Sequence, residues 1–157
     1  MEIDLNTSMY DVGLKIANSR TNQKENYKSS RPFSKNYELV GVLGEIVYGL
    51  TTNEYFDSVL RVNGDEGFDF SKKVQVKSSE KFKAKHLIEY MDKDFSKFNY
   101  YVFVVVDLEN KSGEVIGWIS TNEFLELAQK ENFGYGDRLA IPLTRLHKFK
   151  DNGNEIH

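Results

Sequence analysis

The stretch 64-GDEGFDFSKKVQVKSSE-80 decides how this chain is read. Asn63 to Gly67, NGDEG, is a strong turn signal. Phe68-Asp69-Phe70 and then Lys73 to Ser78 read as two strands around a tight Ser71-Lys72 turn, a hairpin that sets Asp69 beside Gln75 and Lys77. Strand alternation sends Val74 and Val76 to one face and Gln75 and Lys77 to the other. The apolar face belongs to a core, which leaves the polar face for chemistry. An acid beside a polar oxygen donor suits a hard divalent cation. A lysine next to that pair suits the charge that builds up on a phosphate under attack.

Working outward, residues 3 to 18 carry Ile3, Leu5, Met9, Val12, Leu14 and Ile16, a rough helical stripe interrupted by Gly13. Residues 19 to 36 are polar and hold Pro32, and they read as a long loop. Arg20, Asn22, Gln23 and Tyr27 in that loop can read base edges or can simply be solvated. Residues 37 to 50, YELVGVLGEIVYGL, predict a buried helix. Gly41 and Gly44 each cost such a helix about 1 kcal/mol, which implies a packing reason for both. Glu45 is conspicuous there, an acid directly before Ile46 and Val47.

Downstream, strands are expected over 55 to 62, at His86 to Tyr90, over 99 to 107 and at EVIGWIS. The run NYYVFVVVD is apolar and β-branched enough for a central strand covered on both faces. Thr121 is expected to cap a helix, TNEFLELAQK, and LAIPLTRLHKF to form an edge strand, since Pro142 argues against a central one. Helix, helix, strands, helix, strand describes an α/β fold with a mixed central sheet flanked by helices.

The chain has 157 residues and no cysteine, which suits one compact domain, 1 to 157, and rules out disulfides and thiolate metal sites. No apolar run reaches the roughly 18 residues of a membrane span. The acidic, mixed N-terminus is unlike a signal peptide. A cytoplasmic location, in a bacterial or phage-infected cell, is the expectation. Net charge is −3, so any nucleic-acid footprint must be local. Lysines 72, 73, 77, 81, 83 and 85 form such a block, and Arg138, Arg145, Lys148 and Lys150 form another.

Asp69 followed by Gln75-Val76-Lys77 resembles the signature of the PD-(D/E)xK nuclease superfamily, in which an acid ends one strand and an acid (or glutamine) and a lysine sit two apart on the next. Glu45 occupies the place of the helical glutamate that commonly completes such sites. The resemblance is closest to small phage or bacterial homing, restriction-like and resolvase-type enzymes, and runs loosely from residue 37 to 120. It implies a restriction-endonuclease-like core and Mg2+-dependent hydrolysis of DNA, with Mn2+ as a substitute. Glu45, Asp69 and Gln75 would serve the metal and Lys77 the phosphate. Lys72, Lys73, Lys81, Lys83, Lys85, Arg20 and Asn22 would contact DNA. Two departures weaken the match: Phe68 precedes Asp69 where the family has proline, and Gln75 gives up one negative charge. Asp65 is either a further ligand or a turn-former.

One site per subunit implies a homodimer or homotetramer if both strands are cut. The alternatives are a junction resolvase and a catalytically inactive DNA-binding module. No phosphate-binding glycine loop, Ser–His nucleophile pattern or zinc-spaced histidine set is present in the sequence.

Overall fold

The computed structural model describes residues 2–24, 36–53, 57–59, 67–70 and 73–149, with the backbone alone at 20–24, 57–59 and 67–69. The described residues form ten strands and three α-helices in mixed order. Strand β1 (Glu2–Asp4) leads into α1 (Thr7–Lys24) and α2 (Tyr37–Thr52). Then come β2 (Asp57–Val59), β3 (Gly67–Asp69), β4 (Val74–Glu80) and β5 (His86–Tyr90). A 3₁₀ turn at Phe95–Lys97 precedes β6 (Tyr100–Asp107), β7 (Ser112–Ser120) and α3 (Thr121–Leu127). The chain closes with β8 (Gln129–Asn132), β9 (Asp137–Pro142) and β10 (His147–Lys148).

The main sheet runs β1-β7-β6-β4, with β10 also on β7. It is mixed: β4 and β6 are parallel, and the other pairs are antiparallel. A second sheet runs β5-β9-β8, and β2 pairs with β3. The β6 alternation explains the layering. Val102, Val104 and Val106 turn to a core shared with α1 and α2, while Tyr101 and Phe103 turn to a second core with Leu87, Ile119, Phe124 and Ile141. The parallel step from β4 to β6 passes through β5, so the second sheet lies over the face of β4 and β6 that α2 does not cover. Among the described residues, no helix is long and apolar enough to cross a membrane.

Five expectations change. The first helix begins at Thr7 rather than near 3, since Glu2–Asp4 is a strand paired with β7, and it passes through Gly13 to Lys24 rather than ending near 18. A Cβ at Gly13 would meet the Leu43 side chain at 2.7 Å, so the glycine lets α1 approach α2. Residues 25–35 lie outside the described residues, as do NGDEG up to Glu66 and most of the strand expected over 55 to 62.

The hairpin is the second change. β3 pairs with β2, in register Asp57↔Asp69, and the ladder of β4 is to β6. Among the described residues no ladder joins β3 to β4. The Lys73 N–H donates instead to the Phe70 carbonyl at 2.9 Å, and Lys73 adopts φ 51°.

Third, Ser120 rather than Thr121 caps α3, its hydroxyl accepting from the Glu123 N–H at 3.1 Å. Ser120 and Glu123 therefore have the spacing of a capping box, one residue earlier than expected. Thr121 is buried, and its hydroxyl donates to the Phe98 carbonyl. Fourth, α3 ends at Leu127, because Gln129 to Asn132 pair with β9. Fifth, β9 is the middle strand of its sheet despite Pro142. The proline is its last residue, where a missing N–H breaks little of the ladder.

Candidate functional site

Strand β4 is seven residues of VQVKSSE with two different faces. Val74 is buried and Val76 half-buried in the helix-side core, and the Ser78 hydroxyl donates to the Val40 carbonyl of α2 at 3.1 Å. Alternation turns Gln75 and Lys77 to the opposite face. The parallel register, Gln75↔Tyr101 and Lys77↔Phe103, aligns them with the β6 residues that face the second sheet.

There Lys77 meets an acid that the sequence reading had passed over. The Lys77 Nζ lies 3.1 Å from Glu89 Oε2, with the Lys77 side chain 25% exposed and that of Glu89 1%. The Tyr101 hydroxyl donates to the same oxygen at 2.9 Å. The Tyr90 N–H donates to Oε1 at 2.9 Å. Three strands, β4, β5 and β6, thus converge on one carboxylate.

Burial pushes the Glu89 carboxyl up. The ammoniums of Lys77 and Lys93, the Tyr90 N–H and the Lys77 hydrogen bond outweigh it, so the group sits below the ordinary glutamate range. Burial, then the Glu89 charge and the hydrogen bond to it, push the Tyr101 phenol far up. The cluster therefore consists of an ionised carboxylate, an ammonium with part of its surface in water, and a neutral phenol.

Glu89 had a visible signal. In HLIEY it shares strand parity with Leu87, and both point inward. An acid at an inward position requires a partner. Tyr101 gave no such signal within its apolar run.

The remaining expected site residues are placed as follows. Glu45 is half-buried on α2, three residues before Tyr48, whose ring meets Phe70 edge-on at 4.7 Å. That spacing puts Glu45 on the same side of α2 as Tyr48. Asp69 ends β3 immediately before Phe70, and its side chain lies outside the description. Glu45 is thus on the helix side of β4, and Gln75 and Lys77 are on the other side. Among the described residues β4 is the last strand of its sheet, so the two sets could meet only around its outer edge. Among the described residues no cluster of three His, Cys, Asp or Glu is close enough to hold a metal.

The basic block divides. Lys73 is exposed. Lys83 pairs with Glu80 at 2.6 Å and Lys81 approaches Glu2 at 4.0 Å, so local acids balance part of the charge. Lys85 is exposed, and Lys72 and Asp65 lie outside the described residues. Arg20, Asn22 and Gln23 are in helix α1 rather than in a loop, and their side chains are outside the description, as is Tyr27 entirely.

Compared with protein-family models, with curated proteins and with solved structures, the chain finds no match.

Proposed function

We propose that the protein is a Mg2+-dependent DNA endonuclease, site-specific in the manner of homing or restriction enzymes, built on a restriction-endonuclease-like core. The observation that carries this reading is the presentation of Gln75 and Lys77 on one face of β4, the strand that follows Asp69 in the chain. Glu45, on α2 and so on the other side of β4, would reach the same site only past the edge of that strand.

The donors fit a hard cation, since two carboxylates and an amide offer only oxygen. Glu45, Asp69 and Gln75 would hold Mg2+, or Mn2+ in its place, directly or through water. When bound, the ion supplies Lewis-acid polarisation of the phosphate and a lowered pKa for water. Lys77 contributes the positive charge that a phosphodiester gains from most as negative charge develops. Gln75 donates or accepts a hydrogen bond without adding repulsion toward the phosphate. Lys73, Lys81, Lys83 and Lys85, with Lys72, Arg20 and Asn22, make backbone contacts that position DNA and scale with salt. Cutting both strands calls for a homodimer or homotetramer.

A second reading, a DNA-binding module that does not cleave, is favoured by one observation. The Lys77 charge is already matched by Glu89, and a matched ammonium offers less to a phosphate. One assay separates the two: plasmid, linear duplex and four-way junction incubated with Mg2+ and with chelator. Nicking that needs Mg2+ supports the nuclease, and preferential junction cutting moves it to the resolvase branch. Binding without cleavage under every condition supports the module.

A further inference from the structure

We propose that Glu89 is a positioning residue that anchors the Lys77 ammonium at the partly open seam between the main sheet and the second sheet. This rests on the nuclease reading for its catalytic meaning, but not for its geometry. Two roles are open to a carboxylate beside a site lysine: metal ligand or anchor. The hydrogen bonds decide between them. Oε2 already accepts from the Tyr101 hydroxyl and faces Lys77, and Oε1 accepts from the Tyr90 N–H. A carboxylate oxygen has about two lone-pair directions. Oε2 is filled, and a side chain 1% exposed has no path by which Oε1 meets a hydrated cation. Glu89 is therefore an anchor.

The anchor is rigid for a reason visible in the strands. Glu89 is held by its own strand through Tyr90, and by β6 through a tyrosine whose ring packs on Phe98 and Phe124 at 4.8 Å each. Lys77, by contrast, has four rotatable carbons and one quarter of its side chain in solvent. Without Glu89 its ammonium would sample the seam and the water beyond it. With Glu89 it has one address, on the face shared with Gln75. The other charged group bearing on the carboxylate is Lys93, which follows β5. Lys93 can hold part of the charge of Glu89 but stands on a different element from Gln75.

The test reads position first and activity second. Wild-type protein is treated briefly with an amine-acylating reagent, and the label on each lysine is quantified by mass spectrometry, with exposed Lys85 as the internal reference. Lys77 is expected to react more slowly than Lys85 by roughly a factor of ten, the worth of one charge-assisted hydrogen bond. Glu89→Gln removes the charge and should raise Lys77 labelling toward that of Lys85. Glu89→Asp keeps the charge on a shorter arm and should restore much of the protection. Lys77 labelling as fast as Lys85 in wild type, or unmoved by Glu89→Gln in folded protein, overturns the proposal. Should Glu89→Gln fail to fold, the wild-type ratio and Glu89→Asp still decide it. In parallel, single-turnover cleavage with Mg2+ should fall in Glu89→Gln by far more than duplex binding in Ca2+, with Glu89→Asp in between. Wild type that cleaves no DNA defeats the nuclease reading, and the labelling still decides the anchor.

Discussion

A Cβ built on Gly44 would stand 2.5 Å from the Cβ of Ser78, nearer than two such carbons pack. Helix α2 crosses β4 at that point, and the Ser78 hydroxyl ties the crossing to the Val40 carbonyl one turn earlier. Gly41, the other glycine of α2 singled out by the sequence, has nothing within 4 Å of its built Cβ among the described residues. The two glycines should therefore respond to alanine with opposite signs. Gly41→Ala should stabilise the protein by up to about 1 kcal/mol through helix propensity. Gly44→Ala gains the same propensity but forces the helix off the sheet, with overpacking costing about 1–3 kcal/mol. Urea midpoints of the two variants check this, and Gly44→Ala with Ser78→Gly should recover much of the loss.

Acid should weaken the fold through Glu89. The folded-state group is held below its ordinary value, so its contribution is fully present above the unfolded glutamate pKa of about 4.3. It is lost as pH falls through the lower, folded value. Tyr101 acts at the other end of the scale. Its raised pKa gives a contribution fully present below about pH 10 that is lost as pH rises further. Urea midpoints measured from pH 7 down to pH 3 should fall less steeply in Glu89→Gln than in wild type, and midpoints above pH 10 less steeply in Tyr101→Phe.

Removing Lys77 alone should cost more than a catalytic lysine ordinarily would. Lys77→Ala leaves a buried carboxylate with its tyrosine partners but without its ammonium, a change worth about 3–5 kcal/mol where no water reaches the site. Partial exposure at Lys77 and the nearby Lys93 should hold the loss toward the lower end. Lys77→Ala combined with Glu89→Gln should regain stability while remaining inactive. On the nuclease reading the folded double variant loses a factor on the order of 10²–10³ in single-turnover rate. A double variant that cleaves like wild type removes Lys77 from the chemistry.

The outer lysines should behave differently. Lys83→Ala should weaken DNA binding modestly and lower the salt slope by about one. Its ion pair with Glu80 is exposed and worth little, so stability should hardly change. Binding titrations across a salt series test this, and an unchanged slope would take Lys83 out of the interface.

Asp69→Asn should abolish Mg2+-dependent cleavage while sparing or tightening binding, because it removes a metal ligand and a negative charge near DNA. Equal loss of binding and cleavage would instead indicate a folding defect.

Local pattern alone determined several parts of this protein. The apolar period of residues 37 to 50 yields a buried helix, observed as Tyr37–Thr52, and the β-branched run near 100 yields a strand covered on both faces. The opposed faces of VQVK follow from a two-residue period that no tertiary context alters. Partnership was decided elsewhere. The NGDEG turn signal accounts for β3 pairing back to β2, but nothing near Asp69 announces that β4 pairs in parallel with a strand more than twenty residues on, because such ladders are non-local and their choice depends on which cores close. The same holds at Pro142, which a long return of the chain makes the last residue of a middle strand. It holds most of all for Lys77. Its face was legible in the alternation of its own strand, but its carboxylate lies twelve residues later on a different sheet. Only the packing of the two sheets brings that charge within 3.1 Å, since burial of Glu89 leaves its ionised form stable only where cations and hydroxyls converge on it.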